Sequence, residues 1–266
     1  MDDIRIIVAG ARGKMGSEAV RLIEWTEHFK LVGVVDRTFD GKLFNDVSDY
    51  NGEPVRVYTD PEACLENCPA DVWIDLTVPK AGFLHAKTAL AHGVRPVVGT
   101  TGFTDAELEE LKAVSAQKGI GCIIAPNFAV GAVLMMKFAQ MAAKYFPDVE
   151  IIELHHDRKK DAPSGTSVKT AQMISEARRK KTQGHPDEKE TLQGARGADF
   201  EGMHIHSVRL PGLVAHQEVL FGGDGQLLTI RHDSMDRASF MSGVKVAVET
   251  VMNLNTFVYG LENILD

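Results

Sequence analysis

The run Ile4 to Ala9 is apolar except for Arg5, and it stops at the glycine-rich GARGKMG, Gly10 to Gly16, before a helical pattern opens at Ser17. An apolar run this short suits a strand buried on both faces of a parallel sheet. Ser17 to Trp25 has Ala19, Val20, Leu22 and Ile23 among its apolar positions, and Leu31 to Val35 forms a second apolar strand ending at Asp36. Strand, glycine turn, helix, strand and carboxylate follow the order a dinucleotide requires. Gly10, Gly13 and Gly16 let the backbone approach a pyrophosphate, a helix N-terminus offers N–H groups and a positive dipole end, and Asp36 can bind a ribose hydroxyl. The spacing is GxxGxxG rather than GxGxxG, and glycines alone would mean only a tight turn packing a helix on a strand. Arg37 suits the 2′-phosphate of NADPH where Asp36 suits NADH, which leaves the choice of cofactor open.

The alternation continues. Asp71 to Thr77, Arg95 to Gly99 and Gly121 to Ala125 read as strands, with helices at Gly82 to His92 and Asp105 to Lys118. Repeated β–α units predict an α/β fold, a Rossmann-type doubly wound parallel sheet whose ligand sits beyond the carboxyl ends of the strands. Gly99, Thr100 and Thr101, and Ala125, Pro126, Asn127 and Phe128, fall at such ends and are expected to line the cofactor crevice; the plainer reading of both is an ordinary turn. A chain of 266 residues is long enough for two domains. Its net charge of -8 argues against a nucleic-acid surface, so an anionic substrate must meet a local positive cluster. Three scattered cysteines make no disulfide framework and pair with no histidine at metal-ligand spacing; no apolar run is long enough to span a membrane, and a cytoplasmic enzyme is expected.

Beyond the alternation, Ala132 to Tyr145 reads as an apolar helix whose Met135, Met136 and Met141 belong to a core. His204 to Leu210, Val214 to Phe221 and Leu227 to His232 read as strands separated by turns at Pro211-Gly212 and Gly222 to Gly225, which implies antiparallel pairing. Arg237 to Asn253 reads as a closing helix. These patterns predict a dinucleotide-binding domain from 1–128 and 237–266, and a second α+β domain, 129–236, built on an open mixed sheet. Such a sheet face suits a partner subunit.

One stretch is unlike the rest: ELHHDRKKDAPSGTS, Glu153 to Ser167, places two histidines, a basic run, a proline and Ser-Gly-Thr between a strand and a helix. His155 and His156 share a pocket only if the strand ends there, since neighbours on a strand face opposite ways. A histidine can donate a proton near neutral pH, and a lysine can donate a proton or bind a carboxylate. Ser164, Gly165 and Thr166 present N–H groups at a helix start, and Arg237 is a candidate second carboxylate clamp. Singly, these pieces have plainer readings as strand histidines, a solvated face and an N-cap. Together, downstream of a nucleotide domain, they read as a site that needs no metal.

The same stretch closely resembles the signature of the dihydrodipicolinate (4-hydroxy-tetrahydrodipicolinate) reductase family, ExHHxxKxDAPSGTA, with Ser167 in place of the final alanine. GARGKMG, GTTGF, the PNF step at Pro126, GARG at Gly194, SVRLPGLVAHQEVLFG and HDSMDRASF resemble that family in order along the chain. The resemblance implies NAD(P)H-dependent reduction of a small dicarboxylate, 4-hydroxy-tetrahydrodipicolinate, on the route to diaminopimelate and lysine, by a homotetramer. It implies His155 as proton donor, Lys159 as a second proton donor, and His156, Gly165 and Thr166 as substrate binders. It also implies Gly10, Ala11, Arg12, Gly13, Lys14, Met15, Asp36, Arg37, Gly99 to Thr101 and Ala125 to Phe128 as contacts of NADPH or NADH. Two rivals are a non-catalytic NAD(P)-binding sensor and another amino-acid-pathway dehydrogenase, the latter needing a reactive cysteine in its covalent forms.

Overall fold

The structure, a computed structural model, describes residues 2–265 and divides into two compact units, one running to Phe128 and resuming at Phe240, the other Ala129–Ser239. The first unit opens with strand Ile4–Ala9 (β1), helix Gly16–Trp25 (α1), strand Phe29–Val35 (β2) and the short strand Val57–Tyr58 (β3). Helix Pro61–Asn67 (α2), strand Val72–Asp75 (β4), helix Pro79–Ala91 (α3), strand Arg95–Val98 (β5), helix Asp105–Lys118 (α4) and strand Cys122–Ile124 (β6) follow. Local chemistry explains several boundaries. Thr104 and Glu107 form a reciprocal capping box at the start of α4, and Gly119, at φ 64°, ends it in the left-handed conformation. Asp60 caps α2, with Pro61 in the first turn where its missing N–H costs nothing. α2 is absent from the sequence reading because seven residues are too few to display a helical period.

The second unit contains helix Val130–Ala142 (α5), strand Asp148–His155 (β7), helix Gly165–Ala177 (α6), and strands Ala198–Phe200 (β8), Met203–Arg209 (β9), Ala215–Gly223 (β10) and Gln226–Ser234 (β11). Its sheet runs β11-β10-β7-β9-β8, with β7 and β9 parallel and the other pairs antiparallel. The hairpin through Gly222 to Gly225 forms as expected. Pro211-Gly212 does not make a second one, because β7 inserts between β9 and β10 and takes the backbone partners of both. Val149 and Ile151 of β7, Met203 and Ile205 of β9, and Val219 and Phe221 of β10 form the buried face. Burying each such side chain contributes on the order of 1.5–3 kcal/mol. Met135 and Met136 join the core, whereas Met141 is exposed, since it falls on the outer side of α5.

The chain then returns to the first unit with helix Met241–Val251 (α7) and strand Phe257–Tyr259 (β12). The helix expected from Arg237 starts four residues later: Arg237–Phe240 form a 3-10 segment, tightened by Ala238 N donating to the Asp236 carboxylate at 2.8 Å. The completed sheet is parallel throughout, in the order β3-β2-β1-β4-β5-β6-β12. Strand order reverses between β1 and β4, so this is a doubly wound fold with its switch point beside Gly10. Ile6, Ile7 and Val8 are fully buried, as a strand covered on both faces must be. Among the described residues no helix is long and apolar enough to cross a membrane.

Candidate active site

In the first unit the predicted residues gather at the carboxyl ends of the strands. Gly10 has φ 80°, and a Cβ there would lie 3.1 Å from the Leu76 carbonyl oxygen past the neighbouring β4. At Gly16 a Cβ would lie 2.0 Å from the Gly10 oxygen, so only glycine lets α1 start this close to the end of β1. Met15, the residue before the helix, makes no side-chain cap. The turn thus brings bare backbone at Gly10 and Gly16 up to a helix N-terminus with no side-chain cap, and it fits a pyrophosphate. Arg12, Gly13 and Lys14 are exposed around it, while Ala11 is buried beneath.

Asp36 follows β2. Its carboxylate accepts from Thr38 N and Thr38 Oγ1, each at 3.1 Å, and Arg12 stands 3.7 Å away with its guanidinium 4.4 Å from the centre of the Phe39 ring. Arg37 is exposed. A carboxylate paired with Arg12 and followed in sequence by Arg37 keeps both a ribose diol and a 2′-phosphate within its chemistry. The pairing of Arg12 with Asp36 is invisible in sequence, because it depends on two strand ends meeting.

The loops after β4, β5 and β6 are also bound together. Asp75, fully buried, accepts from Thr77 N at 3.1 Å, Thr77 Oγ1 at 2.7 Å and Thr100 Oγ1 at 3.1 Å, and its other oxygen meets His85 Nδ1 at 2.6 Å. Burial by itself would raise the proton affinity of this carboxyl, but the bonds from His85 and Thr77 outweigh it and hold it below the usual range. A Cβ on Gly99 would meet Leu76 Cδ2 at 2.7 Å and the Phe128 ring at 2.9 Å, so the Gly99–Thr101 turn lies directly on the Phe128 ring. Asp75 and His85 are residues the sequence reading missed; an aspartate ending an apolar strand is the signal that marks them.

In the second unit, β7 ends at His155, which removes the conflict between adjacent histidines: His155 is the last strand residue, while His156 is exposed beyond it. Lys159 Nζ meets both oxygens of Asp161 at 2.8 Å. The Ala162–Pro163 bond is cis, and Ser164 caps α6, its Oγ accepting from Ser167 N at 3.2 Å. At Gly165, the first residue of α6, a Cβ would find nothing within 4 Å, so this backbone is open to a ligand. Arg237 is exposed, and among the described residues no hydrogen bond or ion pair joins it to this cluster.

Beneath the cluster lies Glu153, whose side chain is 0% exposed against 15% for His155. It contacts His155 Nδ1, and takes Arg209 Nη2 at 2.7 Å, Arg209 Nη1 at 2.9 Å and Ser164 N at 3.3 Å. Burial raises its proton affinity, yet the bonds from His155, Arg209 and Ser207 prevail and bring its pKa down to about 2. A depressed carboxylate contributes stability above its unfolded pKa of roughly 4.3, and that contribution is lost as pH falls toward the folded value. The loss from Glu153 is therefore expected between roughly pH 4.3 and pH 2 and amounts to on the order of 3 kcal/mol. Urea denaturation at a series of pH values checks this, with the gap between wild type and Glu153→Gln closing across that window; a constant gap would refute it.

All three cysteines are buried and unpaired, and burial pushes the Cys122 thiol up, which removes it as a nucleophile.

Comparison with known proteins gives a consistent picture. Residues 4–128 match the family model of dihydrodipicolinate reductase, N-terminus, and residues 131–265 match that of dihydrodipicolinate reductase, C-terminus. The 4-hydroxy-tetrahydrodipicolinate reductase of Bacillus pumilus is 65% identical over 99% of this chain and 98% of its own, and that of Geobacillus kaustophilus is 64% identical over 99% of each. A dipicolinate-bound dihydrodipicolinate reductase from Paenisporosarcina sp. TG-14 superimposes with a TM-score of 0.91 at 55% identity, covering 99% of this chain and 100% of that one.

Proposed function

Because the chain belongs to the dihydrodipicolinate reductase family, we propose that it reduces 4-hydroxy-tetrahydrodipicolinate to tetrahydrodipicolinate with loss of water, using NAD(P)H, in diaminopimelate and lysine biosynthesis. The observation that carries the residue roles is the convergence of His155 and the open start of α6 on one buried carboxylate, Glu153. When bound, NAD(P)H would supply a hydride to ring carbon 4 once the hydroxyl on that carbon has left as water.

The residues that hold the dinucleotide are the Gly10 to Met15 turn, Asp36 with Arg37, the Gly99–Thr101 turn and Ala125 to Phe128. The chain's own chemistry lies in the second unit. His155 gives a proton to the electron-rich enamine that hydride addition creates. Gly165 and Thr166, at the start of α6, receive one ring carboxylate through backbone N–H groups and the helix dipole. Lys159 adds positive charge and His156 a ring nitrogen beside it, with Lys159 as second proton donor, and Arg237 on the same unit is the candidate for the second carboxylate. The dipicolinate bound to the Paenisporosarcina relative is itself a small dicarboxylate, as this reading requires.

Oxidation of NADH and NADPH, followed with the condensation product of pyruvate and aspartate semialdehyde, tests substrate and cofactor together. Turnover with neither cofactor would leave a dinucleotide-binding sensor as the better reading. Lys159→Ala is expected to lower kcat/KM by about 10- to 100-fold, the worth of one charged hydrogen bond, with the loss divided between higher KM and lower kcat. An unaltered KM would show that Lys159 touches no carboxylate.

In this reading the enzyme is a cytoplasmic homotetramer built on the sheet of the second unit. The sheet face away from α5 and α6 carries Ile152, Leu154 and Leu220, half-buried, and the exposed Leu227, an apolar set that a second copy would cover. Sedimentation across a dilution series checks it, a monomer at all concentrations being the contrary result.

A further inference from the structure

The mechanism gives no part to Glu153 and Arg209, a charge pair whose carboxylate is fully buried. Glu153 is the third inward-facing residue of β7 after Val149 and Ile151. A strand facing a helix layer has no need of a carboxylate there, and exchanging a buried ion pair for packed apolar residues is often neutral or stabilising. Its contacts are what set it apart. One oxygen meets His155 Nδ1 and accepts from Arg209 Nη1 at 2.9 Å; the other accepts from Arg209 Nη2 at 2.7 Å and from Ser164 N at 3.3 Å. The same guanidinium donates to the Asp161 carbonyl at 2.7 Å, and the Asp161 side chain holds Lys159. Arg209 reaches Glu153 from β9, and β9 pairs in parallel with β7, so the strut is anchored in the sheet rather than in the loop.

We infer that Glu153, locked in place by Arg209, is a positioning residue for the reaction proposed above: it fixes which ring nitrogen of His155 exchanges the proton, and it ties the substrate-binding start of α6 to the same point. An ionised carboxylate can only accept, so the Nδ1 that faces it carries hydrogen whether the ring is charged or neutral. Nε2 is then the nitrogen that gives up its proton, and the neutral ring left behind keeps Nδ1–H on Glu153. The carboxylate, already bonded to two Arg209 nitrogens, does not compete for that proton. Ser164 N on the other oxygen sets the start of α6 against the ring, so proton donor and carboxylate receiver are placed together.

Glu153→Gln tests this, because an amide has only one accepting side. If the NH₂ replaces the oxygen near His155, it confronts both Nδ1–H and Arg209 Nη1; if it replaces the other, it confronts Arg209 Nη2 and Ser164 N. The expected result is a fall in kcat of about 10²-fold, at the lower end of what a positioned general acid contributes, with a smaller change in KM. In protein with nitrogen-15-labelled histidine, the neutral His155 ring is expected as the Nδ1–H tautomer in the wild type and shifted toward Nε2–H in the variant. The double variant Glu153→Gln/Arg209→Met separates positioning from mere charge neutralisation: it removes the unpaired arginine and is expected to recover the melting temperature but not kcat. Recovery of kcat along with stability, or an unchanged tautomer and kcat in Glu153→Gln, would overturn the inference. Absence of turnover in the wild type would instead overturn the reductase reading, while the tautomer comparison, which needs no substrate, still judges Glu153.

Discussion

Replacing His155 by glutamine is expected to lower kcat by about 10²–10⁴-fold, the usual contribution of a positioned general acid, and to change KM far less. Glutamine keeps much of the size and polarity of the ring but has no ionisable proton to give. Its amide can still bond Glu153, so the buried carboxylate retains a partner and the fold should survive; an unchanged melting temperature is the control. The KM–kcat split identifies the role. A residue that only binds would raise KM, whereas one that acts in the transition state lowers kcat. A variant with wild-type kcat would exclude His155 as the proton donor.

Gly16→Ala is expected to be among the most damaging single-methyl changes in the first unit. The added carbon would sit 2.0 Å from the Gly10 oxygen, 2.6 Å from the Gly10 carbonyl carbon and 2.8 Å from Ala11 Cα. These are backbone atoms of the turn itself, so no rotamer change relieves the clash, and α1 must move away from β1. Overpacking of this severity is expected to cost about 3 kcal/mol or more. At roughly 2–4 °C per kcal/mol, the melting temperature should fall by about 6–12 °C. Displacing α1 also turns its first N–H groups away from the turn proposed to hold the pyrophosphate, so NADH and NADPH affinity should drop at least about tenfold, in keeping with the 1.4 kcal/mol that a decade of affinity represents. Calorimetry and cofactor titration read the two effects separately, and a variant with wild-type stability would mean that the turn is not the packing point described above.

Much of this molecule is legible from short stretches of chain. The glycine turn, the β–α alternation and the carboxylate after β2 are local patterns, each dictated by backbone approach, burial on both faces or turn chemistry within a few residues. The charged stretch around His155 is legible for the same reason, because strand end, cis-Pro loop and capped helix follow one another directly. Elements too short to carry a period, such as β12 and α2, leave no such trace, and Pro211-Gly212 looks like a hairpin only until β7 takes the place between its strands.

The stretch Glu153 to Ser167 by itself marked the proposed proton donor, the lysine and the helix start, because all three lie within one short connected segment. The tertiary structure decided what holds them. Arg209 is 56 residues from Glu153 in sequence and meets it only because β7 and β9 pair in parallel register, and Thr100 reaches Asp75 across 25 residues only because β4 and β5 lie side by side. Strand pairing is set by burial of whole sheet faces rather than by any local signal, so a buried carboxylate shows in sequence only as a charge at an inward position, and its partners emerge when the sheet closes.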